Sequence, residues 1–357
     1  MTGPLLAPAD VEVRRQRGEV LILDATVDLA SARHDGDHRS VPGLAGWRGA
    51  HIPGSRHADL LHELSDPAAP YHFAVPSPSA LAAALADLGV RDGVPVVTYD
   101  RAGGLWAARL WYLLDWLGLD AYVLDGGFKA WQSAGLPVTS NPAAAGGTSR
   151  EPSAGAGGSF GGREAAVGAS REPSAGAGGS FGGREAAVGA SGGSAAGVEG
   201  SFSSSDTPLS AGRGVGLTVR VRDGRWVGKG DLAAWLAGDV DATVLCALNP
   251  EAFAGEVPTR YSRRGHIPGS GNLPARSLTG ADGRFLPEPE LRAALGGLVE
   301  DPALVWLYCG GGISATVVAL ALAAAGRRDV ALYDGSLEEW SADPTLPVEL
   351  GRAGIIE

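Results

Sequence analysis

From residue 10 to residue 140, short apolar runs alternate with amphipathic stretches. Residues 20–23, 94–99 and 121–124 are continuous runs rich in Val, Leu, Ile and Tyr, the pattern of strands covered on both faces. Between and after them, residues 79–88, 105–117 and 128–133 space their apolar side chains as helices do, with Ser79 as a candidate N-cap. From 215 to 350 the alternation returns. Helices are expected at 231–236 and 288–298, strands at 243–245, 305–308 and 330–333, and a long Ala/Leu/Val helix beginning near residue 313. Strands alternating with helices predict an α/β fold built on mainly parallel sheets.

The stretch from 141 to 213 differs in kind, being dominated by Gly, Ala and Ser. Residues 150–170 recur without change as 171–191, and each copy offers only Phe160 or Phe181 and one valine for a core. That is too little apolar surface to offset the entropy of ordering, so a long disordered linker is expected rather than a solenoid. The chain thus divides into a first α/β domain at 1–140, a linker at 141–213 and a second α/β domain at 214–357.

The two halves share motifs. His51-Ile52-Pro53-Gly54-Ser55 recurs as His266-Ile267-Pro268-Gly269-Ser270, and Asp125-Gly126-Gly127 with Trp131 recurs as Asp334-Gly335-Ser336 with Trp340. The spacing from Cys309 to Asp334, counted back from Asp125, lands on Asp100. One half therefore carries a thiol where the other carries a carboxylate, as expected of one catalytic domain and one degenerate partner.

Cys309 follows the apolar run 305–308 and precedes Gly310, Gly311 and Gly312, after which Ile313 and Ser314 open the helix. At such a junction unpaired N–H groups converge and the helix dipole is positive, which favours an anion, and the thiolate is the nucleophilic form of cysteine. Glycines let the loop curl into a cup with its N–H groups facing the sulfur. A buried structural cysteine beside a turn is the bland alternative; Cys309 is the expected nucleophile. The formal net charge of -11 argues against nucleic acid and anionic membrane as partners, so an anionic substrate needs a local basic cluster. Arg260, Arg263 and Arg264 supply one just before the second His-Ile-Pro-Gly. Two cysteines in all, a start without signal-peptide character and no apolar run long enough for a membrane helix predict a cytoplasmic protein.

Paired His-Ile-Pro-Gly turns, paired Asp-Gly ends with a following Trp, and a Cys-Gly-Gly-Gly-Ile-Ser loop resemble the two-domain rhodanese family, which contains the thiosulfate and 3-mercaptopyruvate sulfurtransferases. The resemblance covers both halves and omits the linker. It implies two rhodanese-like domains and a double displacement without cofactor or metal. Cys309 takes a sulfane sulfur from a small anionic donor and becomes a persulfide, held by the loop N–H groups of Gly310, Gly311, Gly312, Ile313 and Ser314. Thioredoxin, a small thiol or cyanide then accepts the sulfur. Arg260 lies near a family position that binds the substrate carboxylate. The uncharged loop is more similar to the mercaptopyruvate type.

Some positions depart from the family. Cys246-Ala247-Leu248 stands where Asp-Ala-Arg or Asp-Val-Arg is usual, and Ala254 where a substrate-binding arginine is expected. A serine-histidine-aspartate relay is not supported, because Gly311 and Leu61 occupy two of its places and His72 is one residue out of register. Cys246 is either a resolving thiol near Cys309 or a small buried residue, the second being expected. His51 and His266 are expected to fix turns, Trp131 and Trp340 to anchor cores, and Arg109 to be a structural cation between domains. Two other functions compete. A cysteine phosphatase would need an arginine where Ala315 stands. A sulfur carrier or interaction module with little turnover would suit Leu248 and Ala254.

Overall fold

The computed structural model describes residues 3–140 and 217–352, all of which fall in one compact unit. The stretch expected to be a linker, 141–213, lies outside the described residues. The first half runs β1 (Leu5–Leu6), α1 (Pro8–Gln16), β2 (Leu21–Asp24), β3 (Val27–Leu29), β4 (Ser40–Pro42), α2 (Leu44–Gly49), β5 (Arg56–His57), α3 (Pro78–Asp87), β6 (Val96–Tyr99), α4 (Leu105–Trp116), β7 (Ala121–Leu124) and α5 (Gly127–Ser133). The second runs β8 (Trp226–Val227), α6 (Lys229–Ala237), β9 (Thr243–Cys246), α7 (Pro250–Phe253), β10 (Gly271–Asn272), a 3-10 turn (Ala275–Leu278), α8 (Glu288–Leu295), a second 3-10 turn (Gly296–Val299), β11 (Val305–Tyr308), α9 (Ser314–Ala324), β12 (Val330–Tyr333) and α10 (Ser336–Ala342).

Each half is built on a five-stranded, all-parallel sheet, ordered β1-β7-β6-β2-β5 and β10-β9-β11-β12-β8, and β3 and β4 form a separate antiparallel pair in the first. The two orders are the same sequence of equivalent strands read in opposite directions, so the duplicated motifs reflect a duplicated fold. The central strands β6, β11 and β12 are buried at every position, which is why they read as unbroken apolar runs.

Helices α4 and α9 pack against each other and share the largest core cluster. Both are apolar on nearly all sides, as a helix must be when neighbours cover it all round. No helix among the described residues is long and apolar enough to cross a membrane. The cap of α3 differs from expectation. Ser77, not Ser79, accepts the Ala80 N–H (3.3 Å), because Pro78 occupies the first helical position, where its missing N–H costs nothing.

The two Asp-Gly turns clasp the halves reciprocally. Asp125 Oδ1 accepts the Phe285 N–H (2.9 Å) from the second half, and Asp334 Oδ2 accepts the Val75 N–H (2.6 Å) from the first. Arg109, buried in α4, pairs with Asp334 at 2.8 Å and donates to the Phe73 carbonyl at 2.6 Å, as expected of a structural cation between the halves. His51 and His266 are buried and bonded to the Trp47 and Phe253 carbonyls (2.7 and 3.0 Å), with their rings stacked on those same residues. Trp131 and Trp340 are fully buried and donate to Pro137 and Pro347 carbonyls, both at 2.8 Å.

Candidate active site

β11 delivers Cys309 to the mouth of the loop that opens α9. The loop closes over Ser336, at the start of α10. The Ser336 hydroxyl accepts the N–H groups of Cys309 and Gly312, both at 3.1 Å, and donates to the Tyr333 carbonyl at 2.8 Å. Ser336 is fully buried and held at φ 48, a left-handed backbone that a serine rarely adopts. Gly312 must be glycine: its φ is +71, and a Cβ there would lie 2.7 Å from the Asp334 carbonyl oxygen. Its carbonyl accepts from Arg109 at 3.3 Å. The expectation that the Gly312 amide faces the sulfur is therefore corrected, since Ser336 takes it. The N–H groups of Gly310, Gly311, Ile313 and Ser314 have no acceptor among the described residues.

The first half shows what such a cup holds. Asp100 follows β6 as Cys309 follows β11, and its carboxylate fills its own loop. Oδ1 accepts the amides of Ala102 and Gly104 (2.8 and 2.9 Å), and Oδ2 those of Trp106 and Ala107 (2.7 and 2.9 Å). Burial raises the pKa of this carboxyl, and the four donors oppose the rise. Gly127, the counterpart of Ser336, shares its left-handed backbone at φ 58.

Cys309 lines a cavity of about 950 Å³ between the halves, together with His38, Phe73, Trp106, Leu248 and Tyr261. Cys309 as a residue is nearly covered, at 1% exposure. Of the three arginines expected at the mouth, only Arg260 lines the cavity. Its Nε and Nη2 donate to the Ala30 carbonyl (3.1 and 2.7 Å), and burial lowers its pKa. Arg263 is turned away and spent on the carbonyls of Ser341, Leu346, Trp340 and Asp343. Arg264 pairs with Asp35 at 2.9 Å. Leu248 lies in the cavity as an apolar wall.

Cys246 does not join Cys309. It pairs with Tyr308 across β9 and β11, and its side chain sits in the cluster holding Tyr308 and Trp340, whereas Cys309 belongs to the cluster around α4 and α9. Tyr308 and Cys309 are adjacent, so the pleat sends their side chains to opposite faces. Both thiols are free, and burial pushes Cys246 up to about 12. A small buried residue, the expected reading, fits this placement. Cys246 fills the place that Asp24 holds beside Tyr99 in β2 of the first half.

Several residues escaped the sequence reading. Glu338 donates its amide to the Gly310 carbonyl (2.8 Å), and its Oε2 lies 3.1 Å from where a Cβ on Gly311 would be. Its Oε1 receives the His72 amide (3.2 Å) and bonds the His72 ring, raising that ring's pKa. His72 stacks on His38 at 3.7 Å, and burial, with His72 next, lowers His38 to about 4. His38, His72 and Glu338 are close enough to be considered a metal site. With the rings 8° from parallel, however, their in-plane lone pairs cannot converge on one ion unless a ring turns. No sequence signal marks Glu338 or His38: Glu338 meets the Cys309 loop through the folding of the second half, and His38 meets it only when the halves pack. Ser336 was legible as part of a repeated motif but not as the support of the cup.

The chain as a whole is similar to known proteins. A family model described as a rhodanese-like domain matches residues 7–134 and 254–343. The putative thiosulfate sulfurtransferase SseB of Mycobacterium tuberculosis is 30% identical over 352 residues, covering 94% of this chain and 99% of the relative. The probable 3-mercaptopyruvate sulfurtransferase of Pseudomonas aeruginosa is 29% identical over 357 residues, covering 98% and 99%. Among solved structures, SseA from Escherichia coli superposes with a TM-score of 0.62 at 22% identity, covering 94% of this chain and 99% of SseA. The Tum1 protein from Saccharomyces cerevisiae gives 0.67 at 20%, covering 98% and 99%. These structural likenesses speak to the fold.

Proposed function

We propose a sulfur-transfer function for this protein from one premise: the chain belongs to the rhodanese-like domain family, whose model matches both of its halves. Cys309 is the sulfur-carrying residue. Its thiolate attacks the outer sulfur of thiosulfate or the thiol sulfur of 3-mercaptopyruvate. A Cys309 persulfide forms and sulfite or pyruvate leaves. The N–H groups of Gly310, Gly311, Ile313 and Ser314 hold the anion, and Arg260 attracts the negatively charged leaving fragment. A thiol such as thioredoxin or a small thiol, or cyanide, then attacks the outer sulfur and regenerates the thiolate. Residues 214–357 carry the chemistry, while residues 1–140 supply the opposite wall of the cavity.

The observation that carries this reading is the filled cup of the first half. There the same loop wraps four amides around a carboxylate, so the geometry is one that binds an anion. In the second half the matching position offers a thiol, and of the matching amides those of Gly311 and Ile313 have no acceptor among the described residues, whereas that of Thr316 is taken by the Ile313 carbonyl. A carrier with little turnover is a second reading, favoured by the apolar Leu248 in the cavity wall and by Ala254. Steady-state turnover with each donor, with cyanide as acceptor, tests the proposal. Multiple turnovers that fall to background in Cys309→Ser support it, and full turnover in that variant removes Cys309 from the mechanism. A persulfide that forms but does not discharge favours the carrier.

A further inference from the structure

Tyr261 is 5% exposed and lines the Cys309 cavity, yet its hydroxyl is buried with no hydrogen-bond partner among the described residues. No other residue with a stranded buried polar atom lines that cavity among the described residues. A phenylalanine would pack there equally well, and a hydroxyl stripped of water without a partner is destabilising. Its ring edge faces the cup: Cε1 lies 3.4 Å from where a Cβ on Gly310 would be. The segment is held in place, because Gly36 N and Thr259 Oγ1 both donate to the Tyr261 carbonyl at 3.1 Å. After burial, the groups that most oppose its ionisation are Cys246 and then Cys309, with the Thr259 side chain acting weakly the other way, so the hydroxyl stays protonated. Cys246 is a poor partner, since burial keeps it a neutral thiol.

We propose that the Tyr261 hydroxyl is a hydrogen-bond donor to the sulfur that Cys309 receives, and so sets how tightly the protein holds it. This rests on the sulfur-transfer reading above. When the Sγ–S bond forms, the S–S bond of thiosulfate breaks and its electron pair leaves with sulfite. The charge of the new persulfide then sits on the outer sulfur. The anion thus lies one S–S bond further into the cavity than the thiolate of the unloaded site, and that outer sulfur is the acceptor for the phenol. A hydrogen bond to an anion is among the stronger kinds and draws on no new reorganisation when the donor is already fixed.

The test is the equilibrium between loaded and unloaded protein. Wild type and Tyr261→Phe are loaded with thiosulfate and titrated back with sulfite, reading the retained sulfur by intact mass. The variant should release its sulfur at about tenfold lower sulfite or less, while its unloaded form melts no lower than wild type. Coincident release curves overturn the proposal. So does a Cys246→Ala variant that reproduces the Tyr261→Phe shift, because the hydroxyl would then serve Cys246. If Tyr261→Phe does not fold, the wild type alone decides. With seven tyrosines in the chain, one 13Cζ resonance should move on loading and return with sulfite, and no movement overturns the idea. Wild type that never gains sulfur defeats the sulfur-transfer reading itself, an outcome distinct from equal retention in wild type and variant.

Discussion

Asp100 and Cys309 stand at the same position of two copies of one loop, and Asp100 fills its cup with its own carboxylate. The first half thereby gains stability where the second keeps a free thiol. Asp100→Ala would strand four amides, three of them buried, and we expect a loss of about 3 kcal/mol or more in urea unfolding. A loss below about 1 kcal/mol would mean that the loop satisfies its amides some other way.

Ser336 supports the second cup from beneath. Ser336→Ala removes the acceptor for the Cys309 and Gly312 amides. The expected cost is about 1–3 kcal/mol of stability. Persulfide formation should slow by roughly tenfold or more, since freed amides let the loop drift from its anion-binding geometry. Rapid-mixing mass measurements of sulfur loading, set beside thermal melts, separate the two effects. Unchanged loading in a destabilised variant would reduce Ser336 to a packing residue.

The histidine stack gives stability two opposing pH dependences. His72 has a raised folded pKa owing to Glu338, so its contribution is complete below its unfolded value and is lost as pH rises through the folded one. His38 is the reverse. Its folded pKa falls from 6.5 to about 4, so the unfolded chain takes a proton that the folded one refuses, and stability is lost on acidification through that window. Melting curves should show Glu338→Gln costing more at about pH 5.5 than at about pH 9, and His38→Asn gaining on wild type at about pH 5 but not at about pH 8. A flat difference for either variant contradicts the assignment.

The buried parallel strands and the two central helices could be read from the chain, because an element covered on all sides leaves an unbroken apolar run. The place of Cys309 between a strand and a helix could also be read, since an apolar run ends at it and three glycines follow. The two-residue strands β1, β5, β8 and β10 carry too few residues to show a period, and tertiary pairing alone makes them strands. Arg263 and Arg264 show the limit for sites. Adjacent arginines look like one cluster in sequence, but the turn sends Arg263 to carbonyls near α10 and Arg264 to Asp35, leaving Arg260 at the cavity. Glu338 and Tyr261 reach the Cys309 loop through the folding of the second half, and His72 joins them only when the halves pack; no local pattern encodes either step.

The central claim is that one thiol, Cys309, holds the transferred sulfur. Protein incubated with thiosulfate or 3-mercaptopyruvate, capped with an alkylating reagent and digested, tests it by peptide mass. The account predicts a gain of about 32 Da on the peptide containing Cys309 and none on the peptide containing Cys246. Sulfur found on Cys246, or loading that persists in Cys309→Ser, would contradict it.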